Sequence, residues 1–290
     1  MTHKLLQQIE IRDALEKLYL KYNRRSLIKP DPLQFLYKYS NPADREIAGL
    51  LSAVLAYGRV EQIQNSLTRL FNLIGQSPYA FVMDFSPADR RKLREFKHRF
   101  TTGDDISDLL ELLKEVLEES DSIENYFLQA YSKTDENIIL ALSYFCDSLL
   151  ESFAARHKGQ ISRGIKYLLA SPSAGSVCKR LNLYLRWMIR DDQVDAGLWK
   201  SIDKAKLIVP VDVHMGRLCR ILGFYDNRSL SMKIALKITN RFAQIQPSDP
   251  VKYDFALSRI GIVENCTGRY SSACETCGLF LFCPGSKVAL

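Results

Sequence analysis

From one end of the chain to the other, apolar residues return at every third or fourth position, in runs cut short by proline and glycine. That period gathers apolar side chains on one face of an α-helix, whereas a half-buried strand would alternate. The spacing predicts helices over 5–22, 47–57 and 60–74, with Asn41-Pro42 opening the second and Gly75 stopping the third. Ser86-Pro87-Ala88-Asp89 starts a helix that runs to near Phe100, and 105–118 and 138–153 follow as amphipathic helices. The pattern assigns nothing to 121–136. It resumes as a short apolar run over 164–170 and as helices over 179–189, 231–245 and 250–262, the last begun by Asp249-Pro250. Ile208-Val209-Pro210-Val211 is β-branched, but a proline inside it argues against a central strand. No internal repeat or linker interrupts the series. The expected architecture is an all-α body over 1–262, in two helical lobes, closed by a cysteine-rich loop over 263–290.

Composition narrows the setting. At 290 residues, 47% hydrophobic and 25% charged, the chain has ordinary globular make-up. No apolar run approaches the ~18 residues of a spanning helix, and the first ten residues carry no apolar core or cleavage site of a signal peptide. A soluble, cytoplasmic monomer is expected, nucleoid-associated in a bacterium, with no membrane partner. The net charge of +7 fits a polyanionic partner without requiring one.

Of the seven cysteines, Cys146, Cys178 and Cys219 fall in helical patterns and read as packing residues. The others are crowded together as Cys266-x7-Cys274-x2-Cys277-x5-Cys283-Pro284. In a reducing compartment such a group points to a metal site rather than disulfides. One Cys-x2-Cys pair in asymmetric spacing favours an iron–sulfur cube, [4Fe–4S], over a zinc ribbon, which shows two pairs. Zinc is the alternative.

Asp212 lies between the run 206–211 and a helical pattern carrying Val213, Leu218, Ile221 and Leu222, with Gly223 after it. An Asp just before a helix is a favoured N-cap, its oxygen accepting from an orphan backbone N–H. Taken alone, that is an ordinary cap.

Three stretches together suggest more. Val209-Pro210-Val211-Asp212-Val213-His214-Met215 resembles the catalytic-aspartate segment of the 8-oxoguanine glycosylases almost letter for letter. The cysteine loop is similar to that of endonuclease III, one residue longer in its first interval. Residues 47–60, Ile47 to Val60, resemble the early helix of the same group and the turn after it. The chain thus resembles the helix–hairpin–helix DNA glycosylase superfamily from about Asp44 to Cys283, nearest a bacterial branch close to the archaeal 8-oxoguanine enzymes. The hairpin of that group, Leu-Pro-Gly-x-Gly-x-Lys, is matched loosely by Ser171-Pro172-Ser173-Ala174-Gly175-Ser176-Val177-Cys178-Lys179. With Gly175 on the first glycine, Val177 replaces the second, where a β-branched residue disfavours positive φ, and Lys179 falls on the nucleophilic lysine. Another register puts Val177 on the lysine position and leaves no nucleophile. An insertion over 190–200 lengthens the path to Asp212, as in the archaeal branch.

The resemblance implies a two-lobed helix–hairpin–helix fold with an iron–sulfur loop. It implies a repair enzyme that excises a damaged base, such as 8-oxoguanine, from double-stranded DNA. Lys179 would attack C1′ and form a Schiff base, giving AP-lyase activity, while Asp212 would steady positive charge on the same sugar. The hairpin, about 171–182, would bind phosphate through backbone N–H groups from Gly175 and Ser176 to Cys178, aided by Lys179, Arg180, Arg186 and Arg190. Arg59 and Gln62 would reach the DNA, and Arg269 and Lys287 would add backbone contacts. Trp187, Trp199, Phe224, Tyr225 and His214 are candidates to hold a flipped base, each having core packing or a helix-start hydrogen bond as its bland reading. The rival functions are a glycosylase that uses water, a non-catalytic DNA-binding protein that kept the fold, and an unrelated zinc-dependent interaction protein.

Overall fold

The computed structural model describes residues 3–226 and 229–283. Pro284 and Lys287 of the cysteine-rich tail lie outside the described residues. The structure is mostly helical, as the apolar period requires. Among the described residues, β structure is limited to one short hairpin and an isolated Asp191–Ala196 bridge. The chain divides into two compact units, Ile28–Asp203 and Met1–Leu27 with Lys204–Leu290. The cysteine loop therefore shares a unit with α1 (His3–Tyr22) instead of standing apart from one long body. No helix among the described residues is long and apolar enough to cross a membrane.

In the unit Ile28–Asp203, α2 (Pro42–Val54) starts five residues earlier than its apolar period, because Asn41 Oδ1 accepts from Ala43 N at 2.9 Å and Pro42 takes the first turn. It is buried along its length and packs on a 3-10 turn over Pro32–Lys38 and on α10 (Lys179–Ile189). α3 (Val60–Ile74) ends at Gly75, as read from the sequence. The short α4 (Pro78–Met83) follows.

The helix started by Ser86 stops far short of Phe100. α5 covers only Pro87–Leu93, and β1 (Lys97–His98) then pairs with β2 (Thr101–Thr102), His98 opposite Thr101. The cause is the side chain of His98, which is buried between Ser66 Oγ and the carbonyl of Tyr57, each 2.9 Å away. Arg99 makes the reversal with φ of 53°.

Thr102 and Asp105 form a capping box that opens α6 (Gly103–Ser120). Against it pack α4, α5, α8 (Ile139–Arg156) and α9 (Arg163–Leu168). The stretch that showed no pattern holds α7 (Ile123–Leu128), also packed on α6. Its first N–H groups donate to the buried carboxylate of Glu46 on α2, Ile123 N at 3.1 Å and Glu124 N at 2.9 Å. The insertion after α10 folds back on that helix. Ala196 N and Gly197 N donate to Trp187 O, and Trp199 N to Met188 O.

In the other unit, α1 packs on α13 (Asp254–Ile262), and Glu16 of α1 accepts from Lys252 Nζ at 2.7 Å and Tyr253 OH at 2.6 Å. α11 (Val213–Ile221) also packs on α13. α12 (Met232–Ile245) anchors the extended 208–211 run through Thr239 Oγ1, which accepts from Val209 N at 3.1 Å.

Candidate functional site

Residues 171–178 join α9 to α10 in a tight turn. Ala174 N and Ser176 N donate to Ser171 O, and Gly175 N to Pro172 O at 2.9 Å. Gly175 takes φ of 81°, a value that suits a residue without Cβ. The second left-handed step falls on Cys178, with φ of 51°, and not on Val177. A β-branched side chain resists that region, so the step moves one residue on. Cys178 is held there by its own bonds, Sγ to Ala170 O at 3.0 Å and N to Ser176 Oγ at 3.1 Å. Burial pushes its thiol up to about 11, so it stays a donor.

These bonds bear on the phosphate contacts expected of the turn. The N–H groups of Gly175, Ser176 and Cys178 are already donated within it; Val177 N, among the described residues, has no acceptor. Gly175 is exposed and Ser176 half-buried.

Lys179 is the first residue of α10, half-buried, and its Nζ donates to Ala56 O at 3.3 Å, just past the end of α2. Arg180 donates through Nη1 to Val54 O at 2.6 Å and through Nη2 to Tyr167 O. Its guanidinium lies 4.2 Å from the Tyr167 ring centroid and 5.3 Å from that of Tyr57. Burial pulls the Arg180 pKa down, although an arginine keeps its charge. Around it gathers a group that the sequence reading passed over. Tyr57 and Tyr167 meet edge to face at 5.0 Å, Phe100 is 70% exposed at the hairpin tip, and Arg99 lies 5.2 Å from the Phe100 ring. The only sequence signal was the basic and aromatic run Lys97-His98-Arg99-Phe100.

In the other unit Asp212 is the N-cap of α11. Its Oδ1 accepts from His214 N and Met215 N, both at 2.9 Å, and the residue is half-buried. Beside it Val213 is 66% exposed, an unusual position for valine. His214 packs against α13, where a Cβ on Gly261 would come within 2.9 Å of it, and its buried Nδ1 has no partner among the described residues. At the helix start His214 is hydrogen-bonded through its backbone N–H, which donates to Asp212 Oδ1.

The four cysteines line one pocket, with Leu218, Ile221 and other apolar groups. Among the described residues no three ligating side chains come close enough to hold a single ion. Burial raises the Cys277 thiol, and Cys266, Glu264 and Cys274 push it further the same way. Ser271 N donates to Cys274 Sγ at 3.4 Å, and Arg217 holds the carbonyl of Cys266 at 2.6 Å.

Other sequence candidates are core residues. Trp187 is fully buried, and Trp199, 2% exposed, donates from Nε1 to Glu46 at 2.7 Å and packs on Phe127 and Tyr184. Neither indole offers a face to a ligand. Phe224 and Tyr225 are buried as well. Arg186 and Arg190, expected as cationic contacts, are buried around the carboxylate of Asp195. Their burial follows from the insertion closing over α10. Arg59, Gln62 and Arg269 are exposed.

A family model described as "Protein of unknown function (DUF2400)" matches residues 31–263. The match covers the hairpin and Asp212 and stops before Cys266. No curated protein and no solved structure matches the chain.

Proposed function

We propose that this chain, which belongs to the DUF2400 family, is a DNA base-excision glycosylase that removes an oxidised purine such as 8-oxoguanine and then cuts the strand through Lys179. The observation that carries this reading is the placement of Lys179. It is the first residue of a helix reached through a two-step left-handed turn, with its amine at a neighbouring helix end. The Val-Pro-Val-Asp-Val-His segment, with Asp212 capping α11, supports it.

In this reading the neutral amine of Lys179 attacks C1′ of the damaged nucleotide. The nitrogen–carbon bond forms as the glycosidic bond breaks, and the base leaves with the bonding electrons and takes up a proton. Opening of the sugar ring gives an imine on Lys179. Loss of a C2′ proton then expels the 3′ phosphate. Asp212 supplies the carboxylate that lowers the energy of positive charge on the sugar. Cys266, Cys274, Cys277 and Cys283 would hold a [4Fe–4S] cluster, with zinc as the alternative, in a structural role, since no step transfers an electron to the protein. The partner is double-stranded DNA containing a damaged base.

Borohydride trapping on an 8-oxoguanine duplex tests the proposal. A covalent adduct is expected from the native protein and none from Lys179→Gln, and Asp212→Asn should slow base release roughly 100-fold, the scale of losing one charge-stabilising group. An undiminished adduct in Lys179→Gln removes that residue from the chemistry. A second reading, a glycosylase that uses water, is favoured by the 3.3 Å bond that ties the Lys179 amine to Ala56 O. It predicts an abasic product with no adduct. Tight binding to every duplex without any product would identify a non-catalytic DNA-binding protein.

A further inference from the structure

We infer that Arg180 is a positioning residue for Lys179, fixing the first turn of α10 at the end of α2, and not a contact to DNA phosphate. The inference rests on the covalent role proposed for Lys179. A guanidinium presents its donors in one rigid plane. Here two edges of that plane are used: Nη1 donates to Val54 O at 2.6 Å and Nη2 to Tyr167 O. Val54 is the last residue of α2 and Tyr167 lies in the last turn of α9. Carbonyls at helix ends lack intrahelical partners and carry the negative end of the dipole, so a cation is favoured at both.

The faces of the plane are used too, 4.2 Å from Tyr167 and 5.3 Å from Tyr57. The other titratable or charged groups around Arg180 are Cys178, Lys179, His98 and Arg99. Among the described residues no carboxylate pairs with it, so the carbonyls and rings are what hold the charge. Lys179, the residue before, reaches Ala56 O two positions beyond Val54. Consecutive side chains of α10 thus grip two carbonyls, one at the end of α2 and one just past it, with the left-handed Cys178 setting the direction in which α10 departs.

Lysine in place of Arg180 separates the two roles. It keeps the charge but cannot bridge two carbonyls and stack on a ring. The test compares Arg180→Lys and Arg180→Gln with the native protein in two measurements: the borohydride-trapping rate on an 8-oxoguanine duplex, and the salt dependence of duplex binding. Both variants are expected to trap roughly 100-fold more slowly, the scale of a small misplacement of a reacting group. The slope of log Kd against log salt is expected to stay at the native value in both. A slope lower by about 0.9 in Arg180→Gln, with slope and trapping restored in Arg180→Lys, would make Arg180 a phosphate contact and overturn the inference. Should Arg180→Gln fail to fold, Arg180→Lys decides alone, because trapping at the native rate is incompatible with a positioning role. If the native protein forms no adduct, the lyase reading itself falls; if it does and Arg180→Lys matches it, only the positioning role falls.

Discussion

His98 is held at both ring nitrogens, and those bonds fix its state as well as its place. A neutral ring can donate from Nε2 to Tyr57 O and accept from Ser66 at Nδ1, both at 2.9 Å. A protonated ring would turn Nδ1 into a donor as well. Burial pulls the pKa of His98 below its ordinary value, and the charges of Arg99 and Arg180 pull the same way, against the bond to Tyr57. A histidine whose folded pKa is depressed stabilises the fold in full above its unfolded pKa of about 6.5, and that contribution is lost as pH falls towards the folded value. The urea midpoint is therefore expected to be lower at pH 5.5 than at pH 7.5, and the difference should shrink in His98→Gln. An equal difference in both proteins would place the acid sensitivity elsewhere. Legibility at this scale followed distance along the chain. Asp212 was readable as a cap because its partners are two and three residues away. Core packing was readable for Trp199, but its bond to Glu46 was not, because Glu46 lies 153 positions back.

Among the elements, α3, α10 and α12 run where the apolar period put them, α3 ending at Gly75 and α12 capped by Ser231. The hairpin after α5 and the helix α7 escaped for a shared reason: each is fixed by a buried side chain reached only through the tertiary fold, His98 in one case and Glu46 in the other. The start of α6 shows how closely such pieces fit. A Cβ on Gly103 would lie 1.8 Å from the carbonyl oxygen of Leu93, a backbone atom that cannot swing aside. Gly103→Ala is expected to destabilise the protein by at least ~1–3 kcal/mol, the usual range for overpacking. A chemical-denaturation midpoint unchanged from the native one would mean that α5 and α6 can part without loss.

For the whole molecule, the sequence foresaw the helical class and the clustering of cysteines, and it expected two lobes without saying which stretches form each unit. Apolar period reports a face, and it does not say which distant helix will cover that face. The metal assignment also belongs here, because the tail that carries it packs within the unit of α1 and α11. Protein purified without oxygen is expected to contain iron and sulfide and to show the broad visible absorbance of sulfur-to-iron charge transfer. Cys277→Ser should lose that absorbance and melt at a lower temperature, because metal binding adds to folding free energy. Stoichiometric zinc without sulfide would assign the cavity to zinc.

The contact between α1 and α13 has a consequence for how the chain is made. α1 leaves the ribosome well before the surface it packs against, at Asp254–Ile262. At the ~5–20 residues per second typical of synthesis, the helix waits on the order of ten seconds or more for its partner. Residues 28–203 emerge as an uninterrupted stretch during that interval, and their core can close before the flanking halves of the other unit meet.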